Sequence, residues 1–255
     1  MRAVAFIGYK SAGKTWVLTG VLRKLIEKGY RVAAIKHMAH PPSLPEDKDL
    51  TRIYRAGVAE VIGIHESMTI VYKSGSEELS QVLSKLNSYD FVLIEGFKNF
   101  YGPRIAVVKT IDEALKFQSP LNMAYVGPFT VEESKELSSV LKAPILGLNE
   151  IDKITDIILK KSFHLPAGLN CGKCKYGNCT SLAEAIARGD ASIDECVSLN
   201  ERAVRIKVDG VTVPLNPFMR RLYASIIEGL VKPLKGVSQT PSRVVIEVDL
   251  TALRS

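Results

Sequence analysis

The chain has 255 residues, with 46% apolar and 24% charged residues and a formal net charge of +7. That length holds one large domain or two small ones, and the composition is that of a globular protein. No apolar run is long enough for a membrane span, and no basic cluster is dense enough to argue for nucleic acid.

The first element is the apolar run Val4-Ala5-Phe6-Ile7, read as a strand, and it leads into Gly8-Tyr9-Lys10-Ser11-Ala12-Gly13-Lys14-Thr15. A helical pattern follows from Lys14 to Lys28. A G-x-x-x-x-G-K-T loop between strand and helix is a phosphate cradle. Its glycines let backbone N–H groups converge on phosphate oxygens, and the helix N-terminus adds partial positive charge. Lys14 is expected to reach the β- and γ-phosphates and Thr15 to ligate Mg²⁺. The chain enters this strand with no signal-peptide pattern, so a cytoplasmic location is expected.

Further strands are expected at Val32–Ile35, Glu60–Ile64, Thr69–Tyr72, Phe91–Ile94, Ile105–Val108, Met123–Val126 and Ile145–Leu148. Helices are expected at Asp49–Arg55, Glu77–Leu86, Ile111–Lys116, Val131–Val140 and Glu150–Lys160. This alternation is that of an α/β fold, a mostly parallel sheet flanked by helices with phosphate at the carboxyl end of the first strand. Between the second strand and the second helix, residues 40–48 carry three prolines and cannot be regular; they read as a surface loop or a lid.

Phe91-Val92-Leu93-Ile94-Glu95 is an all-apolar strand ending in a carboxylate, the pattern of a Walker B strand. Glu95 is the candidate to hold Mg²⁺ or orient water. Asp90 starts the same strand and lies at its wrong end. Lys36 ends the second strand beside the phosphate site, while His37 reads more readily as structural. Asn149-Glu150-Ile151-Asp152 resembles a guanine-reading N-K-x-D with the lysine replaced, so it reads as a helix start with Asn149 as N-cap.

All four cysteines fall late in the chain, at Cys171, Cys174, Cys179 and Cys196, spaced C-x2-C-x4-C-x16-C in a Gly-rich stretch. Such clustering argues for a local metal site rather than a disulfide framework. Thiolates suit iron–sulfur or zinc, and the solitary fourth cysteine favours [4Fe–4S] over a zinc ribbon. Beyond it, Val204–Val208, Asp209-Gly210 and Val211–Val213 read as a hairpin, Phe218–Val231 as an amphipathic helix, and Arg243–Asp249 as a last strand able to pair with the hairpin. The expected units are 1–161, a P-loop domain; 162–199, an Fe–S domain; and 200–255, an α+β C-terminal unit.

Residues 1 to about 160 resemble the molybdopterin-guanine dinucleotide biosynthesis protein B (MobB) family. The resemblance lies in Gly8–Thr15, Lys36-His37, Lys48-Asp49-x-x-Arg52-x-x-x-Ala56-Gly57, Glu95-Gly96-Phe97-Lys98 and Pro103-Arg104-Ile105. It implies a P-loop NTPase fold, GTP binding with weak hydrolysis, a homodimer, and help to a separate molybdopterin guanylyltransferase or another Mo/W enzyme maturation partner. Lys36, Asp49 and Arg52 would form the substrate-side surface. Residues 165–197 resemble the four-cysteine Fe–S domain of redox and corrinoid proteins of anaerobes, with Lys175 where that family often has Gly. The minimal MobB protein lacks this unit, and the fusion suggests redox coupling or an oxygen-sensitive partner. The tail beyond Ser198 is similar to the end of fused archaeal proteins. An ATP-driven metal- or cluster-handling NTPase and a nucleotide-bound redox scaffold are the alternative readings.

Overall fold

A computed structural model describes residues 1–41, 43–44, 49–200, 204–237 and 244–250. The strands are β1 (Arg2–Ile7), β2 (Val32–Lys36), β3 (Glu60–His65), β4 (Met68–Lys73), β5 (Phe91–Glu95), β6 (Arg104–Val107), β7 (Asn122–Val126), β8 (Ile145–Leu146), β9 (Ile206–Val208) and β10 (Val211–Val213). The helices are α1 (Lys14–Glu27), α2 (Asp49–Arg55), α3 (Leu79–Lys85), α4 (Ile111–Lys116), α5 (Val131–Leu141), α6 (Ile151–Lys161), α7 (Cys179–Arg188), α8 (Val197–Asn200) and α9 (Pro217–Val231).

Six strands form one sheet in the order β2-β5-β1-β6-β7-β8, and every pairing within it is parallel. Strands buried on both faces need apolar residues at every position. In β1 and β5 the alternation divides these residues between two cores. Val4, Phe6, Phe91 and Leu93 pack with Val17, Val21 and Leu25 of α1 and Ile154 and Ile158 of α6. Ala3, Ala5, Ile7, Val92 and Ile94 pack on the other face with Leu83 of α3, Ala114 of α4 and Leu137 and Leu141 of α5. Each such large side chain contributes about 1.5–3 kcal/mol, so the central strands are the rigid frame on which the loops at their carboxyl ends are mounted.

The remaining strands do not extend this sheet. β3 and β4 pair antiparallel with each other, Ile62 opposite Val71, and α2 covers one face by setting Leu50 against Gly63. β9 and β10 form the expected hairpin. Its turn residues Asp209 (φ 50°) and Gly210 (φ 79°) are both left-handed, as a two-residue turn matching strand twist requires. α9 begins as its sequence dictates, with the Asn216 side chain accepting from Met219 N–H and Pro217 in the first turn.

Two expectations are corrected. The last strand does not form among the described residues: Arg243 lies outside them, and 244–250 is irregular, with Val245 77% exposed. Alternating apolar residues make a strand only where a neighbouring edge takes up their backbone groups. Asn149 is not the N-cap of α6; that position is Glu150, whose carboxylate instead accepts from Gly147 N–H at 2.7 Å. Asp152 does lie in the first turn, and its 3.0 Å ion pair with Lys24 occupies the carboxylate that a guanine reader would need. Lys48 and Pro42, both in the proline-rich stretch, lie outside the described residues.

Candidate functional site

The loop Gly8–Gly13 joins the carboxyl end of β1 to α1. Gly8 has φ 147° and Gly13 φ 94°, and Ser11 is left-handed at φ 60°. A Cβ at Gly8 would collide with the carbonyl oxygen of Val107, so only glycine lets the loop turn here. We expect Gly8→Ala to cost roughly 3 kcal/mol or more from backbone strain and overpacking together, read as a lower midpoint in thermal unfolding. Gly13 caps α1 with no side-chain partner, leaving the first N–H groups of that helix open to an anion. Tyr9, Lys10, Ser11 and Ala12 complete the loop.

Lys14, Thr15, Lys36 and Glu95 meet at this rim. The Thr15 hydroxyl donates to Glu95 Oε2 at 2.9 Å. Lys36 Nζ lies 3.2 Å from both carboxylate oxygens. Lys36 and Glu95 are register partners on adjacent strands, 59 residues apart in sequence. Lys14 Nζ donates to Tyr9 O at 2.6 Å. Burial holds the Lys14 ammonium below its usual pKa range; Glu95 opposes this shift, and Lys98, Lys36 and Lys109 add to it. An arriving phosphate would favour the charged ammonium, so the site is electrostatically set for an anion.

Asp49 and Arg52 belong to α2. They face each other on α2, 3.7 Å apart and both exposed, and among the described residues neither bonds to Lys14, Thr15, Lys36 or Glu95. The His37 ring centre lies 4.6 Å from that of Phe97. Residue-by-residue reasoning missed Lys98, whose ammonium sits 4.0 Å from the Tyr9 ring centre, and Arg104. The Arg104 guanidinium is buried and donates to Asn122 Oδ1 and to Lys98 O, each at 3.0 Å. Burial lowers its pKa. An arginine opening a strand otherwise composed of Ile, Ala and Val was the available signal.

None of the four cysteines is in a disulfide; Cys179 and Cys196 are buried. Asn170 (φ 44°), Gly172 (φ 68°) and Gly177 (φ 78°) bend the loop through left-handed positions. Asn170 Oδ1 accepts from Cys179 N–H at 3.0 Å, at the N-terminus of α7, where a thiolate is favoured. Three contacts hold the segment bearing Cys196 against this loop. Lys175 Nζ is 2.8 Å from Glu195 Oε2, Tyr176 donates to the same oxygen at 3.1 Å, and Cys171 Sγ is 3.1 Å from Ser198 Oγ. Lys175, where a glycine was the expectation, thus closes a clamp; it holds the Glu195 carboxyl below its usual range. Arg220 of α9 reaches the same segment through the carbonyl of Ser198. Among the described residues, no three His, Cys, Asp or Glu side chains stand close enough to hold a metal ion. The donor set fits a thiolate-bound group in kind and spacing, and drawing the sulfurs together is left to the group itself. Glu195→Ala, which opens the clamp, is expected to speed iron loss to a chelator about tenfold with unchanged helix content by circular dichroism.

Residues 3–126 match the family profile described as MobB, molybdopterin guanine dinucleotide synthesis protein B. Residues 165–198 match the profile described as "Putative Fe-S cluster". A protein of Methanocaldococcus jannaschii named "Putative molybdopterin-guanine dinucleotide biosynthesis adapter protein" is 30% identical over 259 residues, covering 100% of both chains. The chain belongs to the MobB family. The molybdopterin-guanine dinucleotide biosynthesis adapter protein of Haemophilus influenzae is 29% identical over 157 residues, 59% of this chain and 84% of that protein. The crystal structure of Bacillus subtilis MobB superposes with a TM-score of 0.53 at 20% identity, over 62% of this chain and 98% of that one, a likeness of fold. The archaeal relative spans this whole MobB-family chain, the cysteines and α9 included, whereas these two bacterial relatives each match less than two thirds of it. No helix among the described residues is long and apolar enough to cross a membrane.

Proposed function

We propose that this MobB-family chain is a GTP-binding adapter in molybdopterin guanine dinucleotide biosynthesis that carries a [4Fe–4S] cluster. The observation that carries the nucleotide reading is the meeting of Lys14, Thr15 and Glu95 at the carboxyl end of β1 and β5. Lys14 and the N–H groups of Gly8–Gly13 bind the triphosphate. Thr15 and Glu95 hold Mg²⁺, and Glu95 can orient water for slow hydrolysis. Lys36, with Asp49 and Arg52 farther out on α2, belongs to the surface that meets the molybdopterin side of the reaction.

Cys171, Cys174, Cys179 and Cys196 would hold the cluster, which when bound supplies one-electron chemistry. The profile match and four cysteines outside any disulfide support this reading. The chain divides into a P-loop unit (1–161), a cysteine unit (162–199) and a C-terminal unit (200–255). It works in the cytoplasm with a guanylyltransferase or Mo/W enzyme maturation partner, and as a homodimer. The face of β3–β4 bearing Ile62, Ile64 and Val71 is exposed, an apolar surface that a second copy would cover.

Trp16 is the single tryptophan; it follows Thr15 and is 66% exposed, so its fluorescence reports directly on the loop. Anaerobic titration with GTP and ATP plus Mg²⁺, by fluorescence and calorimetry, tests the proposal. Clear GTP preference is the expected result. ATP preference would favour a metal-handling NTPase, and no binding of either would overturn the nucleotide site.

A further inference from the structure

The segment between Glu95 and Arg104 touches both candidate sites. At its first end, Glu95 accepts from Thr15 and Lys36. A divalent cation at Thr15 needs a lone pair of that hydroxyl and the Glu95 carboxylate, directly or through water. The Thr15 hydrogen can stay on Glu95 while an oxygen lone pair turns to the cation, but Lys36 competes with the cation for the carboxylate oxygens. Glu95 therefore trades its Lys36 contact for the cation when nucleotide and Mg²⁺ arrive. That exchange is the discrete element that a mere path of contacts lacks.

The residues that follow leave little slack. Gly96 (φ 101°) and Phe97 (φ 52°) are both left-handed, and for Phe97 that conformation is strained. The Phe97 ring rests on His37, the neighbour of Lys36. Phe100 N–H donates to Phe97 O at 2.8 Å, and the Phe100 side chain is 3% exposed, in the core. Between them, Lys98 is pinned from below by buried Arg104 and lies over Tyr9 of the phosphate loop.

At the far end, the half-buried Tyr101 hydroxyl lies 3.5 Å from Pro166 O. Its oxygen also abuts Gly168, where a Cβ would come within 2.7 Å. Gly102 packs against Leu165, whose side chain joins the core beside Phe100. Pro166 and Gly168 are the lead-in to Cys171. Arg104 also feels Glu184 of α7.

We infer that nucleotide–Mg²⁺ binding at the phosphate loop and metal loading at the cysteines are thermodynamically coupled through residues 96–104, with Tyr101 as the contact to the cysteine unit. The inference rests on the nucleotide and iron–sulfur readings above. Linkage makes the coupling reciprocal: whatever factor cluster loading imposes on nucleotide affinity, the nucleotide imposes on cluster affinity.

The test compares the Mg²⁺·GTP dissociation constant of full-length protein reconstituted anaerobically with iron and sulfide against that of the iron-free protein. A difference of about fivefold or more is expected, with iron-loss rates to a chelator shifting when GTP is added. Tyr101→Phe keeps the ring packed on Phe100 and removes the hydroxyl that reaches Pro166; the ratio should fall toward one while both loadings persist. Equal dissociation constants in the two wild-type forms, with GTP bound in both, overturn the coupling alone. Failure of GTP to bind either form overturns the nucleotide reading and the coupling together. Failure of iron to load does the same for the cluster reading. A wild-type ratio retained in Tyr101→Phe overturns the route through Tyr101.

Discussion

Lys14→Ala is expected to weaken Mg²⁺·GTP binding by roughly tenfold to more than a hundredfold, the range of a lost charge-assisted hydrogen bond of about 1.5–3 kcal/mol. The fold should not suffer for it. The Lys14 ammonium is held below its usual pKa range by burial, and three further lysines add to that shift, so its charge is a burden until an anion arrives. Removing it should leave thermal stability unchanged or slightly raised. Its one backbone acceptor, Tyr9 O, is in the exposed loop and can turn to water. Calorimetry and a thermal melt on the same sample separate the two effects. Wild-type affinity in Lys14→Ala would overturn the phosphate-loop assignment, and a collapsed melt would show that Lys14 supports the fold.

Cys196→Ser is expected to lower iron affinity by about tenfold or more, since even outer-shell losses around metal sites cost that much. A serine hydroxyl is a harder and far less acidic donor than a thiol, and iron–sulfur groups depend on soft thiolates. Cys196 is 5% exposed and lies next to Glu195, which Lys175 and Tyr176 tie to the first cysteine loop. The variant therefore keeps its backbone position while losing the proposed ligand. Iron and acid-labile sulfide, measured after anaerobic reconstitution, are the readout. Unchanged content would show that Cys196 is not a required ligand, and the solitary spacing would then lose its meaning.

Local features were legible. The strand–loop–helix at Gly8–Thr15 declares itself because its glycines, apolar strand and helix start are consecutive. The all-apolar run Phe91–Ile94 marks a strand covered on both faces, and Asp209-Gly210 marks a tight turn. Other features carried no local signature. Whether β3 and β4 join the main sheet depends on which edge they meet. The residues 244–250 show that an alternating pattern is insufficient without such an edge. Asn149 lost the cap of α6 to Glu150 because Glu150 could satisfy the Gly147 N–H, a contact no propensity ranks. Lys175 looked like a simple departure from a glycine until its partner Glu195 was in view.

The sequence alone thus determined the Gly8–Thr15 loop, the apolar strand ending at Glu95, the cysteine set and the α/β class. Each rests on backbone conformation, side-chain periodicity or ligand chemistry expressed within a few residues. Tertiary structure decided the strand order that makes Lys36 and Glu95 neighbours across 59 residues. It set Arg104 under Lys98 beside the nucleotide rim and Tyr101 against the segment that leads to the cysteines. Those outcomes depend on how buried faces pack and which strand edges pair, and such long-range choices minimise the free energy of the whole chain rather than of any segment.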